Sequence, residues 1–324
     1  MADAEVGNQT SIAEFILLGF EILPELQMLL FLLFFILYIA TMAGNVLIIV
    51  LIIAVRHLHT PMYFFLGNLS CLETCYTCTI LPRMLASFLT GDRTISLSGC
   101  FIQFFFFGML ASTECCLLSV MSYDRYLAIC KPLHYAALMS DRLCFKLAAG
   151  SWISGFTAVS IISLLFLQLT FCGPNEVDHF FCDYVPVIKL SCSDTYQIEL
   201  AAYSLDCIVL LPPFLLTLLS YICIITTILR IPSTSGRQKA FSTCSSHITV
   251  VTIFYGMLVI VYMFPRTNSL RALYKIFSLF YTVLTPLANP LIYSLRNKDV
   301  KEALMTVFYM FMNWKRKHAS PELC

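Results

Sequence analysis

Ser119–Val120–Met121–Ser122–Tyr123–Asp124–Arg125–Tyr126–Leu127–Ala128–Ile129–Cys130 closes a long apolar run that begins at Phe101. It sets an acid and a base side by side where such a run would leave a membrane. Arg125 can pair with Asp124, or swing away and offer its planar fork to something docking from the cytosol. The competing reading is a topogenic arginine that only marks the inner face. The rest of the chain decides between them.

Composition points to a membrane. Of 324 residues, 59% are hydrophobic and 12% charged, with a mean hydropathy of +0.82. A soluble domain carries about 25% charged residues. The net charge of +1 comes from sparse charges split between two sides, so no nucleic-acid partner is expected. The first 25 residues hold Asp3, Glu5, Glu14, Glu21 and Glu25 but no Lys or Arg. A cleavable signal needs a basic start, so the first apolar run is expected to act as an uncleaved signal anchor.

Seven segments approach or exceed the roughly 20 residues a spanning helix needs. They are predicted at about 26–54, 61–88, 98–130, 142–168, 197–229, 240–264 and 271–294. This divides the chain into an outer arm (1–25), a seven-helix bundle (26–294) and an inner tail (295–324). With the N-terminus outside, 14 basic residues fall on the cytosolic side and 5 in outer loops, as the positive-inside rule asks. The third inner loop, about 230–239, is short. In the tail, apolar residues at 300, 304, 307 and 308 alternate with bases, which predicts an amphipathic helix in the inner interface.

Four of the 15 cysteines lie on the oxidising side: Cys100, Cys172, Cys182 and Cys192. Two disulfides are expected, with three pairings open. Either way the outer loop of about 169–196 would become a lid. Cys71, Cys75 and Cys78 share a helical face and read as small packing residues rather than a metal site. Asn8–Gln9–Thr10 is an outer glycosylation sequon. Asn68–Leu69–Ser70 sits inside a span and is discarded.

Ionisable groups at membrane depth are functional suspects. Glu73 and Glu114 are mid-helix, with Asn45 and the helix-breaking Asn289–Pro290. Glu114 lies about 16 Å up the helix from Arg125 at ~1.5 Å per residue, so these groups can meet at one depth. They would form a cation or proton site, or a static hydrogen-bond cluster. Asp206 is isolated in the outer half of the fifth span. The chain carries no HExxH, no Ser-His-Asp spacing and no phosphate-cradling loop, so an enzyme is not expected. A transporter would show inverted repeats and several broken helices; neither is visible.

Seven spans with Asp124–Arg125–Tyr126 and Asn289–Pro290–Leu291–Ile292–Tyr293 resemble a rhodopsin-like (class A) G-protein-coupled receptor. Longer runs narrow the resemblance to the olfactory receptor family. They are Pro61–Met62–Tyr63–Phe64–Phe65–Leu66–Gly67–Asn68–Leu69–Ser70, Met121 to Cys130, Ser220–Tyr221, Lys239 to His247 and Pro290 to Asn297. The short outer arm looks like the tetrapod (class II) branch. Ser122 and Leu287–Ala288 depart from the family's usual Ala and Met-Leu without changing charge or the helix break. The resemblance implies pairing of Cys100 with Cys182 and Cys172 with Cys192. It implies a polar cluster of Asn45, Glu73, Glu114 and Asn289. It assigns coupling to Asp124, Arg125, Tyr126, Tyr221, Lys239, His247, Asn289, Pro290 and Tyr293. It also suggests a loop metal at His179–Phe180–Phe181–Cys182–Asp183, for which one His and one Asp are too few. The implied partners are a small odorant, a stimulatory olfactory-type G protein and membrane lipid, with no cofactor beyond a candidate cation near Glu73 and Glu114.

In that architecture the outer half is hollow. Going up the third span from Arg125, Ala111, Gly108, Phe107 and Phe104 share a face, with Ser112 beside them. The fifth span offers Leu205, Asp206 and Val209. The sixth offers Tyr255, Leu258, Val259 and Tyr262, and the seventh Leu279 and Thr282. Such walls suit small, largely apolar, volatile-like ligands.

Overall fold

Proline opens three helices, α1 (Pro24–Ala54), α2 (Pro61–Thr90) and the short α4 (Pro132–Leu138), positions where its missing N–H costs nothing. Gly91 ends α2 in the left-handed region at φ 73°, its N–H bonded to the Ser87 carbonyl at 3.0 Å. Ser96 caps α3 (Leu97–Cys130) by accepting from the Gly99 N–H at 3.1 Å. Then follow α5 (Asp141–Phe166), α6 (Tyr184–Ile188), α7 (Tyr196–Leu229), α8 (Thr234–Leu258), α9 (Arg271–Leu279) and α10 (Thr285–Arg296). This computed structural model describes residues 13–20, 23–172, 174–263, 271–296, 300–307 and 309. Asn8, Arg266, the side chains of Lys239 and Tyr293, and most of the tail lie outside the described residues.

The seven predicted spans correspond to α1, α2, α3, α5, α7, α8 and the pair α9–α10. Among the described residues, five stretches are long and apolar enough to cross a membrane, and His247–Met263 is a shorter apolar helix. α1 leaves Leu29, Ile36 and Ile53 exposed, apolar surface that suits a lipid solvent. α3 is central and packs chiefly on α2, α5 and α7. Two interhelical contacts depend on special residues. Asn68 accepts from the Trp152 indole N–H at 3.2 Å, joining α2 to α5. A Cβ on Gly155 would lie 2.6 Å from the Met109 carbonyl oxygen and 2.9 Å from the Thr113 amide nitrogen, so α5 approaches α3 through bare backbone.

Several expectations are corrected. The sixth span starts at Thr234, not 240, because Ser233 caps it by accepting from the Gly236 N–H at 3.2 Å. Two spans are not purely α-helical: Val259–Met263 and Phe280–Leu284 are π-helical turns. Cys71, Cys75 and Cys78 are exposed rather than packed inside; of the three, Cys78 meets the Tyr38 hydroxyl at 3.7 Å on α1. Residues 300–307 are helical, but the buried face is Val300 and Ala303, and Leu304 points out.

One end of the bundle is closed by a three-stranded sheet that was not anticipated. β1 (Glu14–Leu17) runs antiparallel to β2 (Thr94–Ser96) and parallel to β3 (Glu176–Val177), in the order β2-β1-β3. Arg93 donates to the Leu18 carbonyl at 2.9 Å, and Lys275 donates to the Gly19 carbonyl at 2.8 Å while pairing with Asp178. Arg83 donates to the Thr94 carbonyl. Beside it, hydrogen bonds from the Thr94 N–H and hydroxyl hold the Asp92 carboxyl below its usual range. Disulfides join Cys100 to Cys182 and Cys172 to Cys192, with Cα atoms 5.3 and 5.9 Å apart. The segment after α5 is thereby tied to the top of α3. We call this the lid end, and the opposite end, at Asp124–Arg125, the latch end.

Candidate functional site

Beneath the lid, between α3, α5, α7 and α8, lies a cavity enclosing about 650 Å³, part of it open to solvent. Phe104, Phe107, Gly108, Ala111 and Ser112 line it from α3, as the spacing predicted, with Leu205, Asp206 and Val209 from α7 and Leu258 and Tyr262 opposite. Small residues keep it open. A Cβ on Gly108 would already lie 2.7 Å from Val159 Cγ2.

The upper rim is polar and aromatic. Tyr184 donates its N–H to Asp183 Oδ1 at 2.8 Å and its hydroxyl to Asp206 Oδ2. The Tyr262 hydroxyl reaches Asp183 Oδ2 at 3.3 Å and the Tyr281 hydroxyl at 3.0 Å. Just under the floor, the buried Tyr255 donates to the Cys115 carbonyl at 2.7 Å, a direct tie between α8 and α3.

Deeper in the bundle, the Asn289 amide donates to Glu73 Oε1, and Glu114 is a hydrogen-bonding neighbour of Glu73. Asn45 donates to the Thr41 carbonyl at 3.1 Å and the Pro286 carbonyl at 3.2 Å. α1, α2, α3 and α10 thus meet at one depth. Glu73 Oε2, Glu114 Oε1, Asn45 Oδ1 and Asn289 Oδ1 are buried with no hydrogen-bond partner. Buried polar atoms ordinarily find one, and hard oxygen donors suit a hard cation. Among the described residues no group of three or more His, Cys, Asp or Glu forms a metal site. His179 instead hydrogen-bonds to the Ser278 hydroxyl at 3.3 Å and stacks on Phe180.

At the latch end, the close partner of Asp124 is not Arg125. The Tyr135 hydroxyl of α4 donates to Asp124 Oδ1 at 2.8 Å, whereas Arg125 Nε stands 3.9 Å from Oδ2. The same Nε lies 3.3 Å from Met62 Sδ. Burial first, then the Asp124 charge, push the Tyr135 phenol well up, so it stays a donor. Across the bundle Tyr221 hydrogen-bonds to His247 Nδ1, joining α7 to α8. Tyr126 packs beside Tyr221 and Ile224.

The olfactory receptor family model matches residues 34–310. The chain belongs to the olfactory receptor family. Human olfactory receptor 6B1 is 49% identical over 306 residues, which cover 94% of this chain and 97% of that one. Human olfactory receptor 11A1 is 48% identical, covering 95% and 97%. Mouse olfactory receptor 5AP2 is 46% identical, covering 94% and 96%. The receptor is therefore a seven-helix G-protein-coupled receptor of the plasma membrane, an odorant receptor and not an enzyme.

Four residues expected in the receptor's cavity wall fall elsewhere. Tyr255 lies below it. The Thr282 hydroxyl is bonded back to the Ser278 carbonyl at 2.7 Å. Val259 and Leu279 sit beside the π-helical turns and pack on the core. The sequence reading also missed α5, which contributes Ala158, Val159 and Ile162, and the lid, which contributes Asp183 and Tyr184. A signal for the lid pair existed. They directly follow Cys182, a candidate for tethering to the helix that walls the cavity.

Proposed function

We propose that the receptor binds small, largely apolar volatile molecules in the cavity under the lid and activates a stimulatory, olfactory-type G protein, raising cAMP. The observation that carries this reading is the Tyr255–Cys115 tie, which lies directly beneath an apolar and aromatic cavity. A ligand that fits better when α8 leans away shifts the population toward that arrangement; equal affinity for both would shift nothing. The Asp124–Arg125–Tyr126 end and the Tyr221–His247 contact would then repack around the G protein, with Lys239, Pro290 and Tyr293 on the same side. In this reading the arm (1–25, with a glycan on Asn8) and the lid are extracellular. The seven-helix unit (26–294) is surrounded by lipid, and the tail (295–324) is cytosolic. The oxygens around Glu73 and Glu114 would hold a single small cation.

A broad odorant screen with a cAMP readout, in cells supplying the olfactory G protein, tests this. At least one volatile should evoke a response that Ala111→Phe removes at normal surface level. Responses indifferent to that substitution would place the ligand elsewhere. Tyr255→Phe deletes one neutral hydrogen bond, a net loss of about 0.5–1.5 kcal/mol. Its dose-response curve should move by up to about tenfold. An unmoved curve would show that the tie plays no part in coupling.

A further inference from the structure

We propose that a second cavity, walled by the arm, α1 and α2 and separate from the odorant cavity, binds a medium-chain alkyl carboxylate whose head is received by Arg93 and Arg83. It encloses about 510 Å³, part of it open to solvent, within the size range of small-molecule sites. Both guanidiniums line it with Gln27 of α1, and among the described residues no Asp or Glu does. The backbone acceptors on the arm side are already taken. The Leu18 carbonyl accepts from Arg93 at 2.9 Å and the Gly19 carbonyl from Lys275 at 2.8 Å. Donors are left over. Among the described residues Arg93 bonds only through Nη1 and Arg83 only through Nη2, whereas each guanidinium carries five N–H groups. The carboxylate paired with Arg83 is Asp92, at 3.6 Å; its side chain is 54% exposed, and its Oδ1 already accepts from the Thr94 N–H and hydroxyl, each at 2.8 Å.

The rest of the wall suits the tail of the same guest. Phe20 stacks on Phe180 of the lid with ring centroids 5.5 Å apart and planes at 18°, and Met84 and Phe88 of α2 line the same space. Apolar walls beside unused donors ask for an alkyl body with an oxyanion head. The planar fork of arginine matches a carboxylate through two parallel N–H···O bonds. A carboxylic acid with the pKa of a glutamate side chain, about 4.3, carries its charge at neutral pH. An alcohol of equal length brings no charge, and an amine brings like charge to two guanidiniums. The guest would join three pieces of the lid end: the arm beside Arg93, α2 at Arg83 and the lid at Phe180. The next residue, Phe181, holds its ring 4.7 Å from that of Phe107 in the odorant cavity, so the lid separates the two chambers by two aromatic residues.

The test measures binding of isotope-labelled octanoate to the full-length receptor in phosphatidylcholine nanodiscs, against 1-octanol and octylamine as competitors. Octanoate should bind at least about tenfold more tightly than 1-octanol, and octylamine should not displace it. Arg93→Gln should weaken octanoate about tenfold or more, and Arg93→Lys, which keeps the charge without the fork, should recover only part of the loss. Arg93 also holds the arm, so Arg93→Gln can fail to fold; Ser87→Phe then serves, because it fills the cavity from α2 and leaves both arginines in place. Ala111→Phe, which obstructs the odorant cavity, should leave octanoate binding unchanged. Equal affinity for octanoate and 1-octanol, or octanoate binding that survives Ser87→Phe, overturns the assignment. Octanoate binding lost in Ala111→Phe would move the guest to the odorant cavity and overturn it too. Replacing part of the phosphatidylcholine with phosphatidic acid should not displace octanoate; displacement would assign the arginines to a lipid phosphate instead.

Discussion

A receptor carrying Gly155→Val is expected to be made but largely lost before the cell surface. The added Cβ would meet the Met109 carbonyl oxygen at 2.6 Å and the Thr113 amide nitrogen at 2.9 Å. Both are backbone atoms, so no side chain can swing aside. The two helices must separate along one of the main contacts of α3. Overpacking costs about 1–3 kcal/mol and more when backbone must move, against a total stability of about 5–15 kcal/mol. Gly150→Val is the matched control on the same helix, since a Cβ there meets nothing within 4 Å. Labelling surface against total receptor separates them, and equal surface fractions would show that α5 does not need bare backbone at position 155.

Arg125→Ala should abolish the odorant-driven cAMP rise while leaving surface level near normal. The two halves of this expectation have separate origins. Asp124 Oδ1 keeps its 2.8 Å bond from Tyr135 when the guanidinium is gone, and Oδ2, which has no hydrogen bond, loses only a charge 3.9 Å away. The guanidinium itself is loosely held, at 3.9 Å from Asp124 and 3.3 Å from a methionine sulfur. A group so lightly engaged can be redirected at small cost toward a docking partner, where its fork would bind carbonyls or carboxylates. Arg125→Lys keeps charge without the fork and should recover only part of the signal. A full response in Arg125→Ala would remove the latch from the mechanism.

Seven spans were legible because their cause is local: about 20 apolar residues in a row are long enough to cross a bilayer wherever they occur. The α3 wall was legible for the same reason, since Phe104, Phe107, Gly108 and Ala111 follow from helical spacing alone. What was hidden depends on partners distant in the chain. β1 pairs with residues 94–96 and 176–177, and four residues around Glu14 give no strand signal that could be told from a loop. Nothing in the sequence singled out Tyr135, which α4 folds back onto Asp124. The π-helical turns at Val259–Met263 and Phe280–Leu284 were hidden as well, since no periodicity in those stretches announces them.

The way β1 is held has a consequence for how much the amino-terminal arm can vary. Its attachments are largely amide to carbonyl: Ile16 to Asn175 at 2.8 Å, Leu17 to Arg93 at 2.9 Å, Leu18 to Val177 at 2.9 Å and Gly19 to His179 at 3.0 Å. Only Phe15 and Leu17 turn their side chains inward. Such a seam reads spacing and leaves chemical identity at Glu14 and Ile16 nearly unconstrained. Descendant copies of this chain can therefore rewrite Glu14 and Ile16 freely while the strand keeps its seat over the bundle.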